Sequence, residues 1–300
     1  LASDIEEVAV EGAEANLAAN GLAGRVACIE AEGLDNPDIA GFAIADPVTG
    51  DRMGVENSSW SFTAEEVKAA CGADRVHFVN NFEALAHSLP YLIAHDRCQI
   101  NPGEPVDGAP MIVLGTGGEF GSAMLIEAFG KRISIAGHAG HAAFAASNDR
   151  EMVILKKVAG NFGYAPIQSI LSGRGIEALH AALADIEGMP EPKLGARDII
   201  DLAIRDEDQL ASDTLDCFVS ILARLAGDMA LQHDARGGVY IGRGITPKIL
   251  KYLDNDRFRE TWRNKGEMSA HLASIPVYAI LANDAGLRGA AVATSDAFPM

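Results

Sequence analysis

The stretch Val76–Ser88, VHFVNNFEALAHS, decides how the rest of the chain is read. Val76, Phe78 and Val79 make an apolar strand that runs into Asn80 and Asn81, and a helical pattern follows over Glu83 to Ile93. In open α/β sheets, ligands bind beyond the carboxyl ends of strands, because the loops there leave a crevice lined by polar groups. Asn80 and Asn81 are therefore candidate ligand contacts. Neutral amides can hold a ligand's hydroxyls, but they cannot take a proton from one.

Outward from this corner the pattern alternates strands and helices. Upstream, GFAIADPVTGDRM from Gly41 gives a buried strand carrying Phe42 and Ile44, then a turn. ENSSWSF and a short helix over Thr63 to Ala70 come next. Downstream, the polar, proline-bearing crossing Asn101 to Pro110 is the best domain boundary. Past it, the apolar strand Met111 to Leu114 enters a glycine-rich loop, Gly115 to Gly121, GTGGEFG. Strands over Ser122 to Glu127 and Ile133 to Ala136 meet in a hairpin at Gly130, and Gly137-His138-Ala139-Gly140-His141 forms a tight polar loop. Within 213–232, Leu215, Phe218, Leu222, Leu225 and Met229 recur at helical spacing, which marks a core stripe. A strand end over Val239 to Lys248 and a last strand over Ile275 to Leu281 complete the pattern.

Composition narrows the function classes. The 300 residues are 48% hydrophobic, enough apolar side chain for one large domain or two ordinary ones. No apolar run reaches the roughly 18 residues a membrane span needs, and no signal-peptide pattern opens the sequence, so a cytoplasmic protein is expected. The net charge of −18 repels phosphate backbones and anionic lipid, which argues against nucleic-acid and membrane partners. A small anion can still bind at backbone amides. Cys28, Cys71, Cys98 and Cys217 form no C-x-x-C pair and read as reduced thiols. His138 and His141 are spaced like metal ligands, but no acidic or cysteine third ligand stands nearby, so no metal is expected. The acidic run Asp206-Glu207-Asp208 reads as a solvated face.

Residues 3–22, SDIEEVAVEGAEANLAANGL, form a predicted helix capped by Ser3 or Asp4 and stopped at Gly21, and the strand RVACIE follows at Arg25. This opening resembles a fragment of an S-adenosylmethionine-dependent ribosomal-protein methyltransferase over residues 1–38, with Asp4 as the acid that precedes the helix. A capping acid on a surface helix is the other reading of Asp4.

From about Gly41 to Ala293 the motifs DPVTGD, NSSWSF, FVNNFEALAHSLP, GHAGHAAF, ILSGRG, GGVYIGRGITPK and KGEMSAHLASIPVYAI resemble the bacterial glucokinase family of the hexokinase and actin-like superfamily. The resemblance implies an α/β protein with the two-domain actin-like ATPase (ribonuclease H-like) fold. The small domain would span 39–108 with 286–300 and be incomplete at its N-terminus, and the large domain would span 109–285. It implies ATP with Mg²⁺ as phosphoryl donor, D-glucose or a related hexose as acceptor, and a possible homodimer. It also implies site residues. Asn81 stands where the family's base Asp would be, and Asn80, His138, His141 and Gln168 fall at sugar-binding positions. Gly115, Gly117, Gly118, Gly121, Gly242 and Gly244 fall on the nucleotide side.

Against the family pattern, Asn81, His138 and Gln168 each replace a carboxylate. Glu119 adds an anion to the phosphate loop, and Arg243 takes one of two adjacent glycines at the nucleoside. The expectation is glucose phosphorylation by family with catalysis impaired or lost. A non-catalytic sugar-binding or scaffold protein is the alternative, and a methyltransferase remnant is a third reading.

Overall fold

The computed structural model describes residues 26–30, 39–44, 48, 50, 52–54, 61–71, 73–159, 163–190 and 193–298. The helix expected over 3–22, Asp4, and most of DPVTGD and NSSWSF lie outside the described residues. The chain divides into two compact units, one drawn from Leu1–Leu92, Ser134–Ala136 and Asn283–Met300, the other from Ile93–Ile133 and Gly137–Ala282.

The first unit is built on strands β1 (Val26–Glu30), β2 (Ile39–Ile44), β3 (Arg52–Gly54) and β4 (Ser61–Thr63), helix α1 (Ala64–Cys71), strand β5 (Arg75–Asn80) and helix α2 (Asn81–Ser88). The strand expected from Arg25 is present as β1, and it pairs antiparallel with β2. β2 runs parallel to β5, which sets Ile44 beside Asn80 at their carboxyl ends. Phe42, expected in the core, is only half-buried, whereas Ile44 is buried. α1 opens with a reciprocal cap, in which Thr63 N donates to Glu66 Oε2 at 2.7 Å and Glu66 N donates to Thr63 Oγ1 at 3.1 Å. α2 starts two residues before the expected Glu83 and turns into a 3₁₀ turn at Leu89–Tyr91, where Pro90 cannot donate to the helix ladder.

The second unit carries strands β6 (Arg97–Asn101), β7 (Met111–Thr116) and β8 (Phe120–Ala128) and the two ends of β9 (Lys131–Gly137), whose middle, Ser134–Ala136, is counted with the first unit. Helices α3 (Asp149–Ala159), α4 (Gly173–Ile186), α5 (Ala196–Ile204) and α6 (Gln209–His233) come next. They are followed by β10 (Gly238–Gly242), α7 (Leu250–Leu253), α8 (Asp256–Arg263), α9 (Ser269–Ser274) and β11 (Val277–Ile280). The six strands lie in the order β6-β11-β10-β7-β8-β9. β7, β10 and β11 run parallel at its centre, and β6 and β8 flank them antiparallel. β7 and β10 end level, with Gly242 paired to Gly115. The β8–β9 hairpin turns at Phe129 and Gly130, both in the left-handed region at φ 55° and 69°.

The large core lies against this sheet. The expected stripe on α6 is real at Leu215, Phe218, Leu222 and Met229, which are buried, while Leu225 packs half-buried beside them. Phe218 and Trp262 are fully enclosed, and each such side chain contributes on the order of 2 to 3 kcal/mol by leaving water. Asn101 ties the sheet edge to α8 and β11. Its Nδ2 donates to Ile275 O at 2.8 Å, and its Oδ1 accepts from Arg263 Nη2 at 2.7 Å.

The last helix, α10 (Ala285–Ala297), returns to the first unit and crosses α2 through small residues. Ala84 of α2 and Ala290 and Ala293 of α10 cluster with Ala43 of β2 and Val79 of β5. A Cβ on Gly289 would stand 1.7 Å from the carbonyl oxygen of Ala84, so only glycine permits this approach. No helix among the described residues is long and apolar enough to cross a membrane.

Candidate functional site

In the first unit, the strand end at Asn80-Asn81 is also a helix start. Asn80 is buried and caps α2, its Oδ1 accepting from Phe82 N at 2.9 Å and Glu83 N at 3.4 Å. The carbonyl end of this side chain is thus committed to the fold. Asn81 is the first residue of α2 and is half-buried. A helix N-terminus favours a negative group there, and the chain instead offers a neutral amide.

In the second unit, the loop after β9 forms a 3₁₀ turn, Ala139–His141, in which His141 N donates to His138 O at 3.0 Å. His138 and His141 are both exposed at the two ends of this turn. Gly140 between them is buried, because a Cβ there would lie 2.4 Å from Phe120 O and 3.1 Å from Gln168 Oε1. Gln168, on the turn Ile167–Ser169, is held beside the loop by Ile167 N donating to Ala142 O at 2.9 Å and Phe144 N to Ala165 O at 2.8 Å. The structure therefore brings His138, His141 and Gln168 together. Among the described residues no group of His, Cys, Asp and Glu is placed to hold a metal ion.

The glycine-rich run is tighter than the sequence suggests. β7 continues through Gly115 and Thr116, β8 begins at Phe120, and Thr116 pairs with Phe120 and Gly115 with Gly121. What remains is the turn Gly117-Gly118-Glu119, closed by Gly117 N donating to Glu119 O at 3.1 Å. Gly117 O in turn accepts from Gly173 N at 2.9 Å, which fastens the turn to the first residue of α4. Ser172 caps that helix, its Oγ accepting from Gly175 N at 3.0 Å. A Cβ on Gly118 or on Gly244 would meet nothing within 4 Å, so both backbones face open space.

Beside this turn, β10 ends at Gly242, and Arg243 follows in the left-handed region at φ 77°. A Cβ on Gly115 would lie 2.6 Å from Gly242 O and 2.7 Å from Arg243 Cγ. The arginine stem thus covers the junction of the two parallel strand ends. Arg243 is exposed, and the protein packed around its guanidinium lowers the pKa of that group from arginine's usual value by desolvation.

The family model described as Glucokinase matches residues 13–297. The chain belongs to the glucokinase family. Its match also takes in residues 13–38, most of the stretch whose motifs resemble a methyltransferase fragment. The glucokinase of Aromatoleum aromaticum is 38% identical over 265 residues, 88% of this chain and 80% of that one. The glucokinase of Cupriavidus metallidurans is 35% identical over 273 residues, 91% of this chain and 81% of its own. The crystal structure of a glucokinase from an Antarctic psychrotroph superposes with a TM-score of 0.76 at 30% identity, covering 85% of this chain and 79% of that chain. A ROK family glucokinase from Streptomyces griseus, solved with glucose and AMPPNP, shares the fold with a TM-score of 0.54 at 18% identity. The fold is that of the actin-like sugar kinases.

Two residues of this glucokinase-family corner escaped the sequence reading. Thr116, the last residue of β7 between Gly115 and Gly117, is fully buried, and its hydroxyl finds no hydrogen-bond partner among the described residues. Arg174, exposed, directly follows the glycine that holds the turn. A hydroxyl residue inside a glycine run, and an arginine at a helix start, were the signals available.

Proposed function

We propose that this chain keeps the sugar-binding arrangement of an ATP-dependent glucokinase but phosphorylates D-glucose slowly or not at all. The observation that carries the reading is Asn81 at the first residue of α2. In a sugar kinase a carboxylate there accepts the proton of the attacking hydroxyl, and removing a general base costs about 10² to 10⁴ in rate. Positioning and charge stabilisation carry much of phosphoryl transfer, which leaves room for residual turnover.

Support on the acceptor side comes from the clustering of His138, His141 and Gln168. These groups donate and accept hydrogen bonds as a hexose requires, with less negative charge than the carboxylates they replace. On the donor side, the open backbones of Gly118 and Gly244 suit a phosphate chain accompanied by Mg²⁺. Arg243 over Gly115 does not suit a nucleoside. Binding of ATP is therefore weak in this reading, and the two-domain division and possible homodimer of the family remain part of it.

Calorimetry tests it. Glucose binding with micromolar to millimolar affinity supports a retained sugar site, and titration without heat at millimolar glucose contradicts it. Replacing Asn81→Asp, His138→Glu and Gln168→Glu together then separates lost carboxylates from a damaged donor side, since glucose-dependent ATP consumption returns only in the first case.

A further inference from the structure

Between the acceptor loop and the helices of the second unit lies an ion pair to which the sugar-site reading gives no role. Glu151, in the first turn of α3, is buried, and Arg224 on α6 meets its carboxylate with both ends of the guanidinium, Nη1 to Oε1 at 3.0 Å and Nη2 to Oε2 at 2.7 Å. An ordinary helix start accounts for part of this. Asn148 Oδ1 accepts from Glu151 N at 2.9 Å, and the Glu151 carboxylate reaches back to accept from Ser147 N at 2.8 Å and Asn148 Nδ2 at 3.2 Å. A carboxylate at a helix N-terminus is already favoured by the helix dipole, so the cap does not require an arginine. Nor is a buried ion pair a strong source of stability, because taking both charges out of water offsets their attraction.

What the arginine adds is a hold on the backbone that leaves the acceptor loop. Its Nη1 also donates to Ser147 Oγ at 2.7 Å, and its Nη2 donates to Ala145 O at 3.3 Å. Ala145 lies four residues after His141 and directly follows Phe144, whose N–H donates to Ala165 O at 2.8 Å. Ala142 O accepts from Ile167 N at 2.9 Å, beside Gln168. The backbone after His141 is thus fastened on one side to the turn that bears Gln168 and on the other to α6 through a single side chain. The planar fork of an arginine holds several acceptors in fixed geometry, which the compact ammonium of a lysine does not. We propose that Arg224, set by Glu151, is a positioning residue for the acceptor, fixing the backbone after His141 so that His138, His141 and Gln168 keep the one arrangement that takes a hexose. The inference rests on the sugar-site reading given above.

The test combines glucose calorimetry, amide hydrogen exchange and urea unfolding on the full chain of the wild type, R224M and R224K. Methionine suits the helix but makes none of the hydrogen bonds to Glu151, Ser147 and Ala145. R224M should bind glucose about tenfold more weakly, and the amides of Phe144, Ser147 and Ile167 should exchange about tenfold faster, while Phe218 in the middle of α6 keeps its wild-type rate. R224K keeps a charge beside Glu151, so it should keep the wild-type urea midpoint and still bind glucose several-fold more weakly. A merely stabilising ion pair does not produce that split, since calorimetry reads the folded protein. Where R224M does not fold, R224K decides by the same readouts. Glucose affinity within about twofold of the wild type in the folded variants, or unchanged exchange at Phe144 and Ser147, would overturn the proposal. Such a result beside wild-type glucose binding sinks this inference alone. A wild type that binds no glucose sinks the sugar-site reading instead; faster exchange confined to the loop in R224M then leaves the clamp standing without that ligand, and unchanged exchange removes both.

Discussion

Arg243 places its Cγ 2.7 Å from the point a Cβ on Gly115 would occupy, so an arginine stem and a strand glycine share one volume at the ends of two parallel strands. The pair constrains both positions. Arg243 pays about 1 kcal/mol for its left-handed backbone, so Arg243→Gly should leave the protein equally stable or up to about 1 kcal/mol more stable once the added freedom of the unfolded chain is counted. Gly115→Ala should cost about 1 to 3 kcal/mol, because its methyl group meets Gly242 O as well as the arginine. Urea unfolding of both variants checks the contrast, and a Gly115→Ala variant as stable as the wild type contradicts the packing described.

The crossing of α10 over α2 makes a second stability prediction. Gly289→Ala should destabilise the first unit by about 1 to 3 kcal/mol or more, since the backbone carbonyl of Ala84 cannot yield as a side chain would. Hydrogen exchange should show the loss in α2 and α10 first.

Stability should also depend on pH through His180. This buried imidazole lies 2.9 Å, through Nδ1, from Thr214 Oγ1, which itself donates to Leu210 O at 2.7 Å, so the neutral ring with a proton on Nδ1 fits the site. Burial lowers its pKa, with the charge of Asp208 and a backbone bond at Leu210 pulling the other way. A histidine lowered in the folded state contributes stability that is fully present above its ordinary value near 6.5 and is lost as pH falls through the folded value. His77, lowered by burial in the first unit, has the same sign. The melting temperature should therefore fall between pH 7 and pH 5, and His180→Gln should flatten part of that fall. A profile unchanged by the substitution would assign the acid sensitivity elsewhere.

Asn80 serves the fold whatever else it touches. Asn80→Ala should cost about 1 kcal/mol through the lost cap of α2, and Asn80→Asp should keep most of it, because a carboxylate accepts from the same two amides. Denaturant midpoints of the two variants make this measurable. Equal losses in both would mean that the cap contributes little.

Much of this architecture was legible in the sequence, because burial leaves a periodic trace. The stripe Leu215, Phe218, Leu222 marked α6, and the strand into Asn80 marked the first strand end. The ends of elements were less legible. Pro90 cut α2 short of the expected Ile93, and the strands on either side of the glycine run extended inward until only Gly117-Gly118-Glu119 remained as turn. Pairing of β7 with β10 brought Gly115 against Arg243 from 128 positions away (243 − 115), which no local pattern records. The orphan hydroxyl of Thr116 is likewise a property of packing, since any threonine in a glycine run reads the same until its surroundings are placed.

The central claim is that the base position of a glucokinase-family site is filled by an amide, and a coupled assay of glucose-dependent ATP consumption tests it most directly. The measurement compares the wild type, Asn81→Asp and the Aromatoleum aromaticum glucokinase under one set of conditions. The wild type should turn over about 10² to 10⁴ below that relative or slower, and Asn81→Asp, whose carboxylate suits the N-terminus of α2, should raise the rate without loss of stability. Wild-type turnover at the relative's rate would contradict the account.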